Sequence, residues 1–134
     1  MIVINYVSVL AAAVAAFVIG WLWYGPLFGK AWMRERGMDP AAMAGMPMPM
    51  GKLVGEFLAG LVTAYVLARF VSLHGVIDWQ GGLHLAFWIW LGFYAMFLLG
   101  AVLWEKASWN LYAINAGRWL VTLIAMTAIL GTWR

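Results

Sequence analysis

The chain has 134 residues, of which 66% are hydrophobic and 10% are charged. Soluble domains usually carry about 25% charged residues, so this composition excludes an ordinary soluble globule. The net charge is +3, but the eight Lys and Arg residues are spread over loops and helix ends, which argues against nucleic-acid binding. The absence of cysteine excludes disulfides, thiolate metal sites and a cysteine nucleophile.

Four long apolar stretches predict four transmembrane helices, because about 20 apolar residues in a helix span a bilayer. We expect one domain over residues 1–134, with helices at about residues 3–24, 52–73, 83–103 and 109–132. No basic segment precedes the first stretch, which favours a retained span over a cleaved signal peptide. The predicted fold class is therefore all-α, an integral membrane four-helix bundle.

A single long connection, residues 25–51, joins the first two predicted helices. It begins at Gly25-Pro26, a signal that ends helices. The segment from Phe28 to Gly37 predicts a short amphipathic helix at the membrane surface. Pro47 and Pro49 predict an irregular second half.

The distribution of basic residues predicts the orientation in the membrane. Connections at one end of the helices, with the residues flanking them, hold Lys30, Arg34, Arg36, Lys52 and Lys106. The opposite end holds only Arg69 and Arg134. Because cytoplasmic loops are enriched in Lys and Arg, we predict an N-out/C-out topology with a cytoplasmic long loop. The short later links also predict that helices two, three and four are antiparallel neighbours.

Small residues recur at four-residue spacing on three of the predicted helices, which lets helix backbones approach closely in lipid. They are Ala12, Ala16 and Gly20 on helix one, Gly55, Ala59 and Thr63 on helix two, and Ala113 and Gly117 on helix four. Two interpretations stay open. We favour internal packing of one bundle, and the alternative is an interface between subunits.

Two segments carry a family resemblance: GWLWYGPLFGKAW at residues 20–32 and LWEKASWNLYAINAGRWLVTLIAMTAILGTW at residues 103–133. With their order, their spacing and the total length, they resemble the bacterial membrane family catalogued as domain of unknown function 1761. The Met-Pro run at residues 46–50 departs from that pattern. The resemblance implies a small four-helix membrane protein and no established activity. We expect a multi-pass protein of the bacterial cytoplasmic (inner) membrane.

Two charges inside the predicted spans, Glu56 and Arg118, are the first candidates for a site, because a charge within lipid costs about 2.5–3.5 kcal/mol on insertion scales. At 1.5 Å per residue, Glu56 lies roughly 6 Å into helix two and Arg118 roughly 14 Å into helix four, from the same face. An arginine side chain can extend toward that face, so a Glu56–Arg118 pair is predicted. Glu105 is a second possible partner.

Asn115, Arg118 and Thr122 fall at positions i, i+3 and i+7 and predict a polar stripe on helix four. Where the stripe meets Glu56, we predict a polar pocket open to the cytoplasm. One interpretation is a site for a solute, a lipid headgroup or a proton. The alternative, which we favour, is a structural ion pair or an arginine bound to lipid phosphate.

Two further groups carry weaker metal hypotheses. His74 and His84 flank a short link that contains Asp78, an arrangement for a metal ion or a tetrapyrrole. A thioether cluster suited to Cu(I) comprises Met43, Met46, Met48 and Met50. We favour the alternatives of interfacial histidines and an apolar flexible loop, since two histidines without a third ligand are a weak metal signature.

The sequence contains no glycine-rich phosphate loop, paired carboxylates or zinc motif. We therefore expect no catalysis and no cofactor, with membrane lipids and further copies or other membrane subunits as partners. The favoured function is a self-associating bundle or accessory subunit of a membrane complex. One alternative is binding or transport of a solute, lipid or proton at Glu56, Asn115 and Arg118. Another is a tetrapyrrole or metal carrier that uses His74 and His84.

Overall fold

A computed structural model describes residues 3–43 and 49–133, and these form helices and connections without strands. Two short helices lie between the first and second spans. In chain order the α-helices are α1 (Tyr6–Leu22), α2 (Gly29–Glu35), α3 (Pro40–Met43), α4 (Met50–Leu73), α5 (Trp79–Ile89), α6 (Met96–Trp104) and α7 (Trp109–Thr132). Residues 44–48, which include Pro47, lie outside the described part, and the described residues of the second half of the connection, predicted to be irregular, include the short helix α3.

Four helical stretches are long and apolar enough to cross a membrane, as predicted from the sequence. They are Tyr6–Leu27, Met50–Leu73, Trp79–Trp104 and Trp109–Thr132. At 1.5 Å per residue, the 24-residue helix α4 is about 36 Å long, somewhat more than the roughly 30 Å of a bilayer core. Side chains such as Val62 and Phe97 are 65% and 81% exposed on the outside of the bundle, where lipid would cover them.

Polar side chains at the helix starts fix where three of the spans begin. Oδ1 of Asn5 accepts hydrogen bonds from the first backbone N–H groups of α1, and Oγ of Ser108 accepts one from Leu111 in α7. Oδ1 of Asp78 accepts a hydrogen bond of 2.8 Å from the N–H of Gly81. This cap starts α5 at Trp79, four residues before the predicted boundary, because a capping side chain satisfies N–H groups that have no helical partner.

Two wide helical turns interrupt the regular helices. Residues Trp23–Leu27 and Trp90–Ala95 form π-helical turns. The first turn contains Pro26, so the prediction that Gly25-Pro26 ends the helix is wrong. The N–H of Phe28 reaches five residues back to the carbonyl of Trp23 at 2.8 Å. This wider ring accommodates a proline that cannot donate a hydrogen bond and continues the span to Leu27.

Helix α7 is the centre of the bundle. In the window that defines the fourth span, 44% of residues are buried, against 17–28% in the other three. Helix α7 packs closely on α1, α4 and α5, and α1 also packs on α4. Of the predicted antiparallel neighbours, the third and fourth spans pack closely, whereas α4 and the third span do not. An open apolar groove lined by Val66, Phe70 and Phe93 separates them.

The core of the bundle is built from small residues and a few large side chains. Ala12 and Ala16 of α1 are buried, as are Leu123 and Met126 of α7. A Cβ atom on Gly82 of α5 would lie 2.9 Å from the carbonyl oxygen of Thr127, so glycine permits the close crossing of α5 and α7. This crossing brings the third and fourth spans together and leaves α1 and α4 to enclose the opposite face of α7.

Candidate functional site

The two intramembrane charges predicted to pair are in contact. Nη2 of Arg118 lies 3.2 Å from Oε1 of Glu56. The two partners differ in environment: the side chain of Arg118 is 5% exposed and that of Glu56 is 54% exposed. The arginine is therefore held inside the bundle while the carboxylate stands at its edge. Glu105, the second possible partner, follows the end of α6 and is exposed.

The guanidinium of Arg118 lies in a pocket formed by aromatic rings and a glycine. Its Cζ lies 3.9 Å from the ring centroid of Trp119 and 6.0 Å from that of Tyr24. A Cβ on Gly20 would lie 2.8 Å from Nη2, so the absence of a side chain there makes room for the guanidinium. Cation–π contacts of this kind contribute about 0.5–2 kcal/mol depending on desolvation. These neighbours fix the guanidinium beside α1.

The other two residues of the predicted polar stripe have different roles. Oδ1 of Asn115 accepts a hydrogen bond of 2.7 Å from the hydroxyl of Tyr24, which links α7 to the end of the first span. The buried hydroxyl of Thr122 donates to the backbone carbonyl of Arg118 at 2.7 Å. Asn115 thus binds Tyr24, which is itself a neighbour of Arg118, whereas the hydroxyl of Thr122 donates to the backbone of its own helix.

Two tryptophans, one in the first span and one in the third, donate hydrogen bonds to the same stretch of α7. Nε1 of Trp23 donates to the carbonyl of Ile114, and Nε1 of Trp90 donates to the carbonyl of Ala116, both at 2.8 Å. Each tryptophan begins one of the π-helical turns. The wide turns therefore lie where side chains of the first and third spans bind the backbone of α7, in the turn that leads to Arg118.

The sequence did not assign Tyr24, Trp23 or Gly20 to the site, because aromatic residues at a span end are typical of a membrane interface. One signal was present. Gly20, Trp23 and Tyr24 are spaced at i, i+3 and i+4 and therefore share a helix face. That face is the one that meets Ile114, Asn115 and Arg118.

A cleft of about 440 Å³ opens beside the ion pair, between the end of the first span and the start of α4. Its walls are apolar or aromatic except for one carboxylate. The lining residues are Phe17, Gly20, Trp21, Tyr24, Gly25, Leu53 and Glu56. A smaller chamber of about 70 Å³ lies behind it and is lined by residues that include Arg118, Thr63 and Trp119. Phe17 and Glu56 line both spaces, so they separate the cleft from the chamber.

The two histidines lie at the opposite end of the bundle and line one cleft of about 500 Å³. Nδ1 of His74 donates to the carbonyl of Phe70 at 2.9 Å, and Nε2 of His84 accepts from Nε1 of Trp88 at 3.0 Å. Asp78 lines the same cleft, but its carboxylate caps α5. Within residues 3–43 and 49–133, no cluster of three His, Cys, Asp or Glu side chains is arranged to hold a metal ion.

The predicted thioether cluster is covered only in part. Met46 and Met48 lie outside the described residues, and Met43 is described only as the last residue of α3. Met50 begins α4 and is 64% exposed. The Cu(I) hypothesis therefore stays a prediction from sequence.

The predicted amphipathic segment contains helix α2, which is fastened to the start of α7. The carboxylate of Glu35 accepts a hydrogen bond from the hydroxyl of Ser108 and another, of 3.3 Å, from the amide of Asn110. The bonds from Ser108 and then Asn110 hold the pKa of the Glu35 carboxyl below its usual value. Both bonds favour the charged form, because a carboxylate accepts hydrogen bonds better than a carboxylic acid does.

Comparison with known proteins finds one family and no curated protein or solved structure. One family, described as "Protein of unknown function (DUF1761)", matches residues 7–131, which include all four membrane-spanning stretches and both halves of the ion pair. This match confirms the resemblance drawn from the two sequence segments. Because the match covers nearly the whole chain, the protein belongs to the family of unknown function DUF1761.

Proposed function

We propose that this protein is a non-enzymatic, multi-pass protein of the bacterial cytoplasmic membrane that binds an amphiphilic molecule in the cleft beside Glu56. The observation that carries this proposal is the combination of an apolar cleft of about 440 Å³ with one half-exposed carboxylate backed by a buried arginine. Binding sites for small molecules are typically about 300–1,000 Å³, mostly apolar, with a few polar groups.

The position of the cleft also suits an amphiphile. It lies at the end of the bundle where α4 and α7 begin, and Glu56 is six residues from the start of α4. At 1.5 Å per residue this depth is about 9 Å, and about 3 Å of the helix lies beyond a 30 Å core at each end. Glu56 therefore lies about 6 Å below the core boundary, within reach of a headgroup whose chain extends into lipid.

Native mass spectrometry of the protein extracted gently from its own membrane tests this proposal. We expect a reproducible additional mass of lipid size on the wild-type protein. Leu53→Trp, which narrows the cleft, should lower the occupied fraction several-fold. Leu58→Trp is the matched control, because Leu58 lies on the same helix, is 54% exposed and does not line the cleft. Equal retention in both variants would contradict the proposed site.

Self-association is the second candidate function, and one observation favours it. Ala12 and Ala16 of α1 are buried inside the bundle, so internal packing explains their spacing. Gly55 and Ala59 of α4 are instead exposed, and a Cβ on Gly55 would meet no atom within 4 Å. This unused small-residue face fits a second copy or another membrane subunit. The same mass spectra would show either a homo-oligomer or co-release with other proteins at fixed stoichiometry.

A further inference from the structure

The hydrogen-bonding capacity of Arg118 greatly exceeds what the bundle uses. A guanidinium has five N–H donors and no acceptor. Its one hydrogen bond to another described residue is that to Glu56, although a carboxylate can accept from two N–H groups in parallel. Nε is buried, and none of residues 3–43 and 49–133 provides an acceptor for it. A buried donor without an acceptor destabilises the protein, and more so when it belongs to a charged group.

The surroundings of the guanidinium limit what can bind there. The ring of Trp119 is 3.9 Å from Cζ, and the backbone of α1 at Gly20 lies against Nη2. Arg118 lines the chamber of about 70 Å³ that lies behind the larger cleft. A chamber of this size holds a few oxygen atoms of a headgroup, and the apolar cleft beside it has room for part of a chain.

We propose that the ligand carries an acidic headgroup, phosphate or carboxylate, and that Glu56 is the internal anion it replaces at Arg118. This inference rests on the proposed binding function of the cleft. The side chain of Glu56 is 54% exposed, so its carboxylate can leave without crossing the core. Lys52 lies four residues earlier on the same helix face and provides an alternative partner for Glu56. The incoming anion then neutralises the charge of Arg118 in place of Glu56.

A cationic or neutral headgroup fits these observations less well. A cation could bind Glu56 but would leave Nε of Arg118 without an acceptor. The same end of the bundle also carries Lys30 and Arg34 on α2, Arg36 at the end of that helix, and Lys52 on α4. Clusters of basic residues near a membrane surface attract acidic lipids. Both the local donor and the surrounding charge therefore select an anion.

The test uses the full chain in nanodiscs of phosphatidylcholine to which phosphatidylglycerol is added in steps, with bound lipid identified by native mass spectrometry. We expect about tenfold preference for phosphatidylglycerol, because its phosphate has a net negative charge, whereas the choline cation compensates the phosphate charge of phosphatidylcholine. Arg118→Gln should abolish the preference. Glu56→Gln should strengthen phosphatidylglycerol binding by roughly fivefold because the internal competitor is gone. Glu105→Gln is the charge-matched control and should behave as wild type.

Two further arms identify the source of the acid. If oleate displaces phosphatidylglycerol, the ligand can be an amphiphile with a carboxylate. If inorganic phosphate displaces it and oleate does not, the site recognises the phosphate headgroup without a chain. If Arg118→Gln does not fold, Gly20→Ala provides the second variant, because it displaces Nη2 and keeps the charge. It should reduce the preference for phosphatidylglycerol at least threefold.

The outcomes separate this inference from the proposed function. Lipid retained in the cleft with equal affinity for both headgroups, or weaker binding by Glu56→Gln, would overturn the acidic-headgroup inference alone. Absence of any retained lipid, with no difference between Leu53→Trp and Leu58→Trp, would overturn the binding function itself.

Discussion

Gly20 shows how a single residue can decide whether a buried charge fits. A Cβ atom there would lie 2.8 Å from Nη2 of Arg118, and the arginine has little freedom to move because it contacts Trp119 and Glu56. Gly20→Ala should therefore destabilise the protein by about 1–3 kcal/mol through overpacking, against up to about 1 kcal/mol gained from helix propensity. Thermal unfolding in detergent measures the net change.

Gly100→Ala is the matched control for this prediction. Gly100 lies within α6, and a Cβ there would meet nothing within 4 Å. The control should leave stability unchanged or raise it by up to about 1 kcal/mol, the usual advantage of alanine over glycine in a helix. If Gly20→Ala raises the stability of the protein as much as Gly100→Ala does, then α1 does not confine Arg118.

Individual residues also show which parts of the candidate site can be predicted from the sequence. The Glu56–Arg118 pair follows from the cost of charge in lipid and from the reach of an arginine side chain toward the face near which Glu56 lies, and the structure brings the two side chains together. The partners Tyr24 and Trp23 do not follow in this way. An interfacial aromatic residue and one that donates a hydrogen bond to a neighbouring helix have the same sequence signature, because both lie at the end of a span.

Among the elements, α2 illustrates a short helix held by one carboxylate. Glu35 accepts hydrogen bonds from Ser108 and Asn110, which join the connection after the first span to the start of α7. Because these bonds lower the pKa of Glu35 in the folded protein, they contribute fully to its stability when the pH is above the usual pKa of the carboxyl, near 4.5. This contribution is lost as the pH falls through the lowered pKa.

Spin labelling can follow this release, because the chain has no cysteine of its own. Nitroxides on Arg36→Cys and Lys106→Cys should give a narrow distance distribution at neutral pH that broadens as the pH falls through the lowered pKa of Glu35. Adding Glu35→Gln should broaden the distribution at every pH, whereas Glu105→Gln should not alter it. If the distance distribution changes neither with pH nor with Glu35→Gln, other contacts hold α2.

Element boundaries depend on tertiary contacts that a sequence pattern does not contain. The Gly25-Pro26 pair normally stops a helix, yet the first span continues through a π-helical turn in which Trp23 binds the carbonyl of Ile114. A regular turn at the same place would orient the indole differently. The third span has the same combination at Trp90. The four spans themselves were predictable, because they depend only on length and apolar composition.

For the whole molecule, helix count was predictable and helix arrangement was not. Short links constrain which ends of helices lie close, but they do not fix which faces pack. The link at residues 74–78 joins α4 to the third span, yet an open groove separates them and α7 packs against both. The small residues Gly82 and Gly131 permit close packing on that central helix, where added Cβ atoms would lie 2.9 Å from neighbouring atoms.

The orientation of the protein in the membrane depends on the distribution of basic residues over the whole molecule. The helix order places the link before α7 at the opposite end from Trp133, and five of the eight basic residues lie at the end with the link. The positive-inside rule therefore predicts that the link is cytoplasmic. In intact cells, an impermeant maleimide should label Trp133→Cys and label Ala107→Cys only after the cells are opened. The reverse pattern would place the cleft beside Glu56 at the outer face and would remove the cytoplasmic leaflet as the source of its ligand.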